Sequence, residues 1–195
     1  MSTATPNEIH QLRLQQLAAF LRDSELILTA WDAYSDEHTG NDGWPHDTET
    51  YGRRAARRDA DTWRSFNRVR QCAKDLIATA EVQLQQLPSA STQSRWAWQL
   101  ATLDGALDRL TALQREWLDA REILPPSARP GTEAYDDVIG NRNAEAWHSL
   151  NEWSAHGQAL LDIHAAAQHT PPPPPATAPA PAAPAQAAKP TAARR

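Results

Sequence analysis

Between residues 96 and 124 most of the large apolar side chains, Trp96, Leu100, Leu103, Leu107, Leu110, Leu113, Trp117 and Leu124, fall at intervals of three, four or seven. An α-helix returns to the same face at that period, whereas a half-buried strand needs strict alternation. At about 100° per residue the row covers an arc of about 140°, wide enough to be buried against two neighbouring helices rather than one.

The same period runs through residues 1–170, which hold all seven glycines and few β-branched residues, so the expected class is all-α. Thr5-Pro6-Asn7-Glu8 has the form of a capping box with proline at the first helical position, and it starts a helix expected to reach Tyr34. Its inward row is Ile9, Leu12, Leu17, Phe20, Ile27, Trp31 and Tyr34. After a polar loop, Asp47 caps a second helix that runs to Leu87, with Trp63, Phe66, Val69, Leu76 and Ile77 on one side. Pro88 stops it, Ser91 caps a third that ends near Ile123 before Pro125 and Pro126, and a fourth starts at Thr132 or Asn143 and reaches Gln168. Gly140-Asn141 marks the expected kink in that last helix. The later connections, 88–90 and 125–131, are short, and short links force antiparallel neighbours. The expected architecture is therefore an up-down-up-down bundle of four long helices, each about 45–60 Å at about 1.5 Å per residue. A long hairpin that completes its core by dimerising is the alternative, so the chain is read as monomer or homodimer.

From residue 171 the sequence becomes PPPPPATAPAPAAPAQAAKPTAARR, which has little to bury and many prolines that block helix and sheet. The expected organisation is a helical domain over 1–170 and a disordered Pro/Ala-rich tail over 171–195, an extended tether. Sixteen of the 19 basic residues and all 24 acids precede the tail, which leaves the body at −8 and the tail, ending in Lys189, Arg194 and Arg195, at +3. The only cysteine, Cys72, excludes an intramolecular disulfide and suits a reducing compartment. With no apolar run of about 18 residues and no signal-like start, a cytoplasmic protein without a membrane span is expected.

Charge layout is the sharpest functional feature. Residues 32–49 carry six acids and no Lys or Arg, whereas 53–74 carry eight bases against Asp59 and Asp61 (and no other acid). Arg53, Arg57, Arg64 and Arg68 project within about 60° of one another, opposite Trp63, Phe66 and Val69. Such a row can follow a phosphate backbone with salt-sensitive, sequence-blind affinity, or it can be a solvated face neutralised by nearby carboxylates. The acidic body and the lack of an aromatic within the row weigh toward the second reading. Asp23 and Asp59 project near the apolar sides of their helices, where an unpaired carboxylate is costly, and are expected to pair with an arginine such as Arg13 or Arg70.

Metal ligation has two candidate places. The loop supplies His38, Asp42, His46, Asp47 and Glu49, but read as a calcium loop its first and third positions would be His38 and Gly40, so the fit fails. Trp44-Pro45 is expected to fold that loop back onto the bundle end. His148, Glu152 and His156 are spaced for one surface ion; Glu145 and His148 match a di-iron spacing but point away from the core row, and no second copy exists. His164 faces inward as a hydrogen-bonded core histidine. Cys72 sits beside the core row, where a thiol is inert. Phosphate-cradling loops, nucleophile elbows and dinucleotide fingerprints are all missing from the sequence, so no catalytic residue, cofactor or metal is assigned.

Eight tryptophans are many for such a domain, and Trp98 projects off its helix's main row. With Trp31 or Trp44 it would make a partner-binding patch or a self-association face, tryptophan and arginine being the residues that dominate interface centres, or the tryptophans simply fill wide gaps between long helices. The leading expectation is a non-enzymatic binding or scaffold protein with a tethering tail and a protein partner. The alternatives are a nucleic-acid or polyanion binder acting through Arg53, Arg57, Arg64 and Arg68, and a metal-dependent activity at the His/Asp loop.

Overall fold

The structure, a computed structural model, describes residues 5–89 and 92–169; the tail over 171–195 and the proposed cap at Ser91 lie outside these residues. The described residues are helical and contain no β-strand. In chain order the helices are α1 (Pro6–His38), α2 (Thr48–Arg70), α3 (Ala73–Gln86), α4 (Trp96–Glu122), α5 (Glu133–His156) and α6 (Gln158–His169). No helix among them is long and apolar enough to cross a membrane.

Two helix starts follow from local chemistry. The Glu8 N–H donates to Thr5 Oγ1 (3.3 Å) while the Glu8 carboxylate accepts from the Thr5 N–H (2.7 Å), which closes the capping box. Asp47 Oδ1 accepts from the N–H groups of Glu49 (3.0 Å) and Thr50 (3.2 Å) and so caps α2. α1 continues past Tyr34 to His38, its last turn tied by His38 Nδ1 to the Tyr34 carbonyl (2.9 Å) and by Thr39 Oγ1 to the Ser35 carbonyl (2.7 Å).

The expected second and fourth helices are each broken. The second breaks at Gln71-Cys72, with no glycine or proline there, as the Cys72 N–H turns to the Val69 carbonyl (2.9 Å). The break changes partners: α2 packs on α1 and α5, whereas α3 packs on α6 and α4. The fourth breaks at Gly157, and α5 runs through Gly140-Asn141, so the expected kink is displaced. At Gly157 a Cβ would lie 2.6 Å from the Trp153 carbonyl oxygen of the preceding turn, so the break itself requires glycine, while Leu21 Cδ2 of α1, at 3.0 Å, would need only a small shift.

The core is continuous across all six helices. Phe66 meets Phe20 and Trp153 edge-on, with ring centroids 5.4 and 5.2 Å apart, and joins α1, α2 and α5. Leu103, Leu110, Leu150, Leu160 and Ile163 are fully buried around this centre. On α1 the buried row is Leu14, Leu17, Phe20 and Ser24; Ile9 and Leu12, expected inside, are exposed. The difference follows from where α1 meets its neighbours: its first turns meet α6 through His10 and Gln11, which both reach His164, leaving Ile9 and Leu12 on the outer side.

Candidate functional site

The arginine row lies on the outer side of α2, with side chains 53–76% exposed for Arg53, Arg57, Arg64 and Arg68. Each has a carboxylate. Arg53 pairs with Glu49, Arg57 Nε lies 3.7 Å and Arg64 Nη1 2.5 Å from the shared Asp61, and Arg68 Nη1 lies 2.5 Å from Asp23 Oδ2. Three carboxylates thus offset four cations, and the adjacent Arg54 makes no ion pair among the described residues but lies over the Tyr34 ring at 5.5 Å. Asp23 also accepts from Ser65 Oγ (3.1 Å). The pairing expected for Asp23 and Asp59 occurs, with other partners: Arg13 pairs instead with Asp75 (2.8 Å), and Arg70 Nε donates to Asn67 (3.2 Å).

Arg58, which the sequence reading did not single out, holds Asp59. Its Nε and Nη2 donate to Asp59 Oδ1 at 2.8 and 2.7 Å, and its guanidinium lies 4.2 Å from the Trp31 ring centre and 3.7 Å from that of Trp147. Asp59 is only 5% exposed; burial pushes its carboxyl above the usual range, and Arg58 opposes that rise.

Beside this pair, the seam between α1 and α2 opens to solvent as two depressions. One, of about 250 Å³, is lined by Leu26, Ile27, Ala30 and Trp31 with Arg54, Arg57, Arg58 and Asp61. The other, of about 300 Å³, is lined by the same Leu26, Ile27 and Asp61 with Asp23, Arg64, Ser65 and Arg68. Shared walls make them one cleft with an apolar floor and an arginine rim. Leu26 stands 70% exposed within it. Arg53 is not among the lining residues, and its carboxylate partner is Glu49 at the first turn of α2.

Trp98 is not brought to this cleft. It is 59% exposed on α4, edge-on to His156 of α5 at 4.8 Å. The loop turns back onto the end of α1, with Pro45 bridged to Thr39 and the His46 N–H donating to the His38 carbonyl (2.8 Å), but Trp44 itself, at a turn closed by the Gly40 N–H to its carbonyl (2.8 Å) with Gly43 at φ 78°, stays 73% exposed. The other loop residues have local tasks. Asp42 Oδ1 accepts from the Trp44 N–H (3.1 Å), Asp47 caps α2 and Glu49 holds Arg53. Glu152 lies between His148 (3.6 Å) and His156 (3.2 Å), one oxygen toward each, and Glu145 pairs with Arg109 (2.9 Å). Among the described residues no group of three His, Cys, Asp or Glu is arranged to hold a metal ion. The Cys72 thiol is buried, which raises its pKa and keeps it protonated.

His164 joins three helices: its ring nitrogens lie 3.4 Å from His10 Nε2, 3.2 Å from Gln83 Nε2 and 3.1 Å from Gln11 Nε2. Burial lowers both histidines below the usual 6.5, and for His10 the charges of His164 and Arg13 add to this. Because the folded chain prefers the neutral rings, their contribution to stability is complete above pH 6.5 and is lost as pH falls through the lower folded-state values. The melting temperature of the wild type should therefore fall more steeply between about pH 7 and about pH 5 than that of His10→Gln/His164→Gln. Parallel curves would remove the pair from the pH response.

No protein-family model matches the chain, and neither a curated protein nor a solved structure matches it.

Proposed function

We propose that the chain is a non-enzymatic helical scaffold whose α1/α2 cleft docks an acidic, partly apolar segment of a protein partner. The observation that carries this reading is Leu26, 70% exposed in a cleft whose rim holds Arg54, Arg57, Arg64 and Arg68 against only Asp23 and Asp61. A helical peptide with apolar residues at three- and four-residue spacing covers Leu26, Ile27 and Trp31, while its acids meet the arginines and exchange with the intramolecular carboxylates. Two finer features belong to the same reading. The helices form four rods in up-down-up-down order, α2 with α3 and α5 with α6 each making one broken rod, and residues 171–195 act as the tether.

The polyanion reading uses the same arginines and requires the same exchange with Asp61 and Asp23, but it gives no role to the apolar floor. Selection of helical peptides from a random display library on the full chain, with Leu26→Asp as the subtracted target, separates the readings. Enrichment of acidic peptides with apolar spacing that bind Leu26→Asp at least tenfold more weakly supports the docking cleft. Peptides without excess acid, or equal binding to Leu26→Asp, would overturn it. Duplex DNA bound as tightly as the best peptide, with loss in Arg57→Gln/Arg64→Gln but not in Leu26→Asp, would establish the polyanion reading in its place.

A further inference from the structure

α5 holds a second buried guanidinium against α4, and its electrostatics are unlike those of Arg58. Arg142 is 9% exposed, with its faces covered by Trp63 (4.1 Å to the ring centre) and Trp117 (5.0 Å). Among the described residues no carboxylate lies within ion-pair distance of it. Its Nε and Nη2 donate to Asn143 Oδ1 (3.2 and 2.6 Å) and its Nη1 to Gln114 Oε1 (3.2 Å). A guanidinium has five N–H donors, so one on each terminal nitrogen is left without a protein acceptor. A buried cation with neutral partners only is costly, and a nearby like charge adds to the cost. Burial first, and then the charge of Arg70, push Arg142 down to about 10, with Tyr135 acting weakly the other way.

Arg142 forms one wall of a cleft of about 270 Å³ whose other walls include the apolar Leu113, Trp117 and Val138. Glu116 and Glu145 also border it, but Arg109 holds both, at 3.7 and 2.9 Å. Two free donors ask for an acceptor with two oxygens, the apolar walls ask for a hydrocarbon body, and the volume is at the small end for ligand sites. We infer that the α4/α5 cleft binds a small organic acid, its carboxylate on Arg142 and its apolar body against Trp117 and Val138.

Benzoate is a suitable probe and benzamide its neutral counterpart, titrated into the full chain at constant ionic strength by ligand-observed NMR. Saturable benzoate binding at least tenfold tighter than benzamide is expected. Binding should weaken at least tenfold in Arg142→Gln and in Val138→Trp, which fills the cleft and leaves Arg142 in place. Leu26→Asp, in the α1/α2 cleft, should bind as the wild type does. No saturable binding, equal binding of benzamide, or binding undiminished in Val138→Trp would overturn the inference, and the Val138 result stands even if Arg142→Gln does not fold.

Discussion

Replacing Arg58 with methionine should lower the unfolding free energy by about 3–5 kcal/mol, the cost of leaving one member of a buried ion pair alone. Both side chains are largely removed from water, 14% exposed for Arg58 and 7% for Asp59. Methionine approximates the length of arginine and retains some contact with Trp31 and Trp147, so the loss reports mainly the abandoned Asp59 carboxylate. The double variant Arg58→Met/Asp59→Leu should recover most of it, because an apolar pair of similar volume is often as stable as the ions it replaces. Denaturant unfolding of the three proteins measures this. A single-variant loss below about 1 kcal/mol would place the pair among exposed ion pairs.

A loss of similar size, about 3–5 kcal/mol, is expected for Trp153→Ala from the lost transfer energy and the cavity left behind. Trp153 is 0% exposed, and through Phe66 it links α5 to α2 and α1. Its indole Nε1 is buried without a hydrogen-bond partner among the described residues. Trp153→Phe gives up the unpaired N–H along with part of the ring and should cost clearly less than alanine, in the range of about 1–2 kcal/mol. Equal losses for the two substitutions would mean that the shape of the indole, rather than apolar burial, fixes the junction.

What the sequence made legible is what depends on neighbours three or four residues away. The capping box at Thr5 and the cap at Asp47 are local patterns, and so are the ion pairs Arg53 with Glu49 and Arg64 with Asp61. The exposure of the arginine row followed from its position opposite Trp63 and Phe66. The breaks were not legible in the same way. Gly157 matters because the Trp153 carbonyl oxygen would lie 2.6 Å from a Cβ there, whereas Gly140, the more obvious signal, has nothing within 4 Å of its Cβ position. Arg58 and Arg142 were missed because their value comes from rings on other helices, and no spacing within α2 or α5 announces Trp31, Trp147, Trp63 or Trp117. One signal was available: Asp59 on an apolar side demanded a cation, and Arg58 stood next to it. Leu26, off the core row of its helix, was the overlooked sign of an apolar surface.

The proposal that the α1/α2 seam is the docking face is tested most directly by mapping amide chemical-shift changes in the full chain on titration with an acidic helical peptide selected on it. The account predicts saturable changes concentrated in residues 23–34 and 54–68, reduced by added salt and absent in Leu26→Asp. Changes centred instead on Trp98 and His156, or no saturable change at the seam, would contradict it.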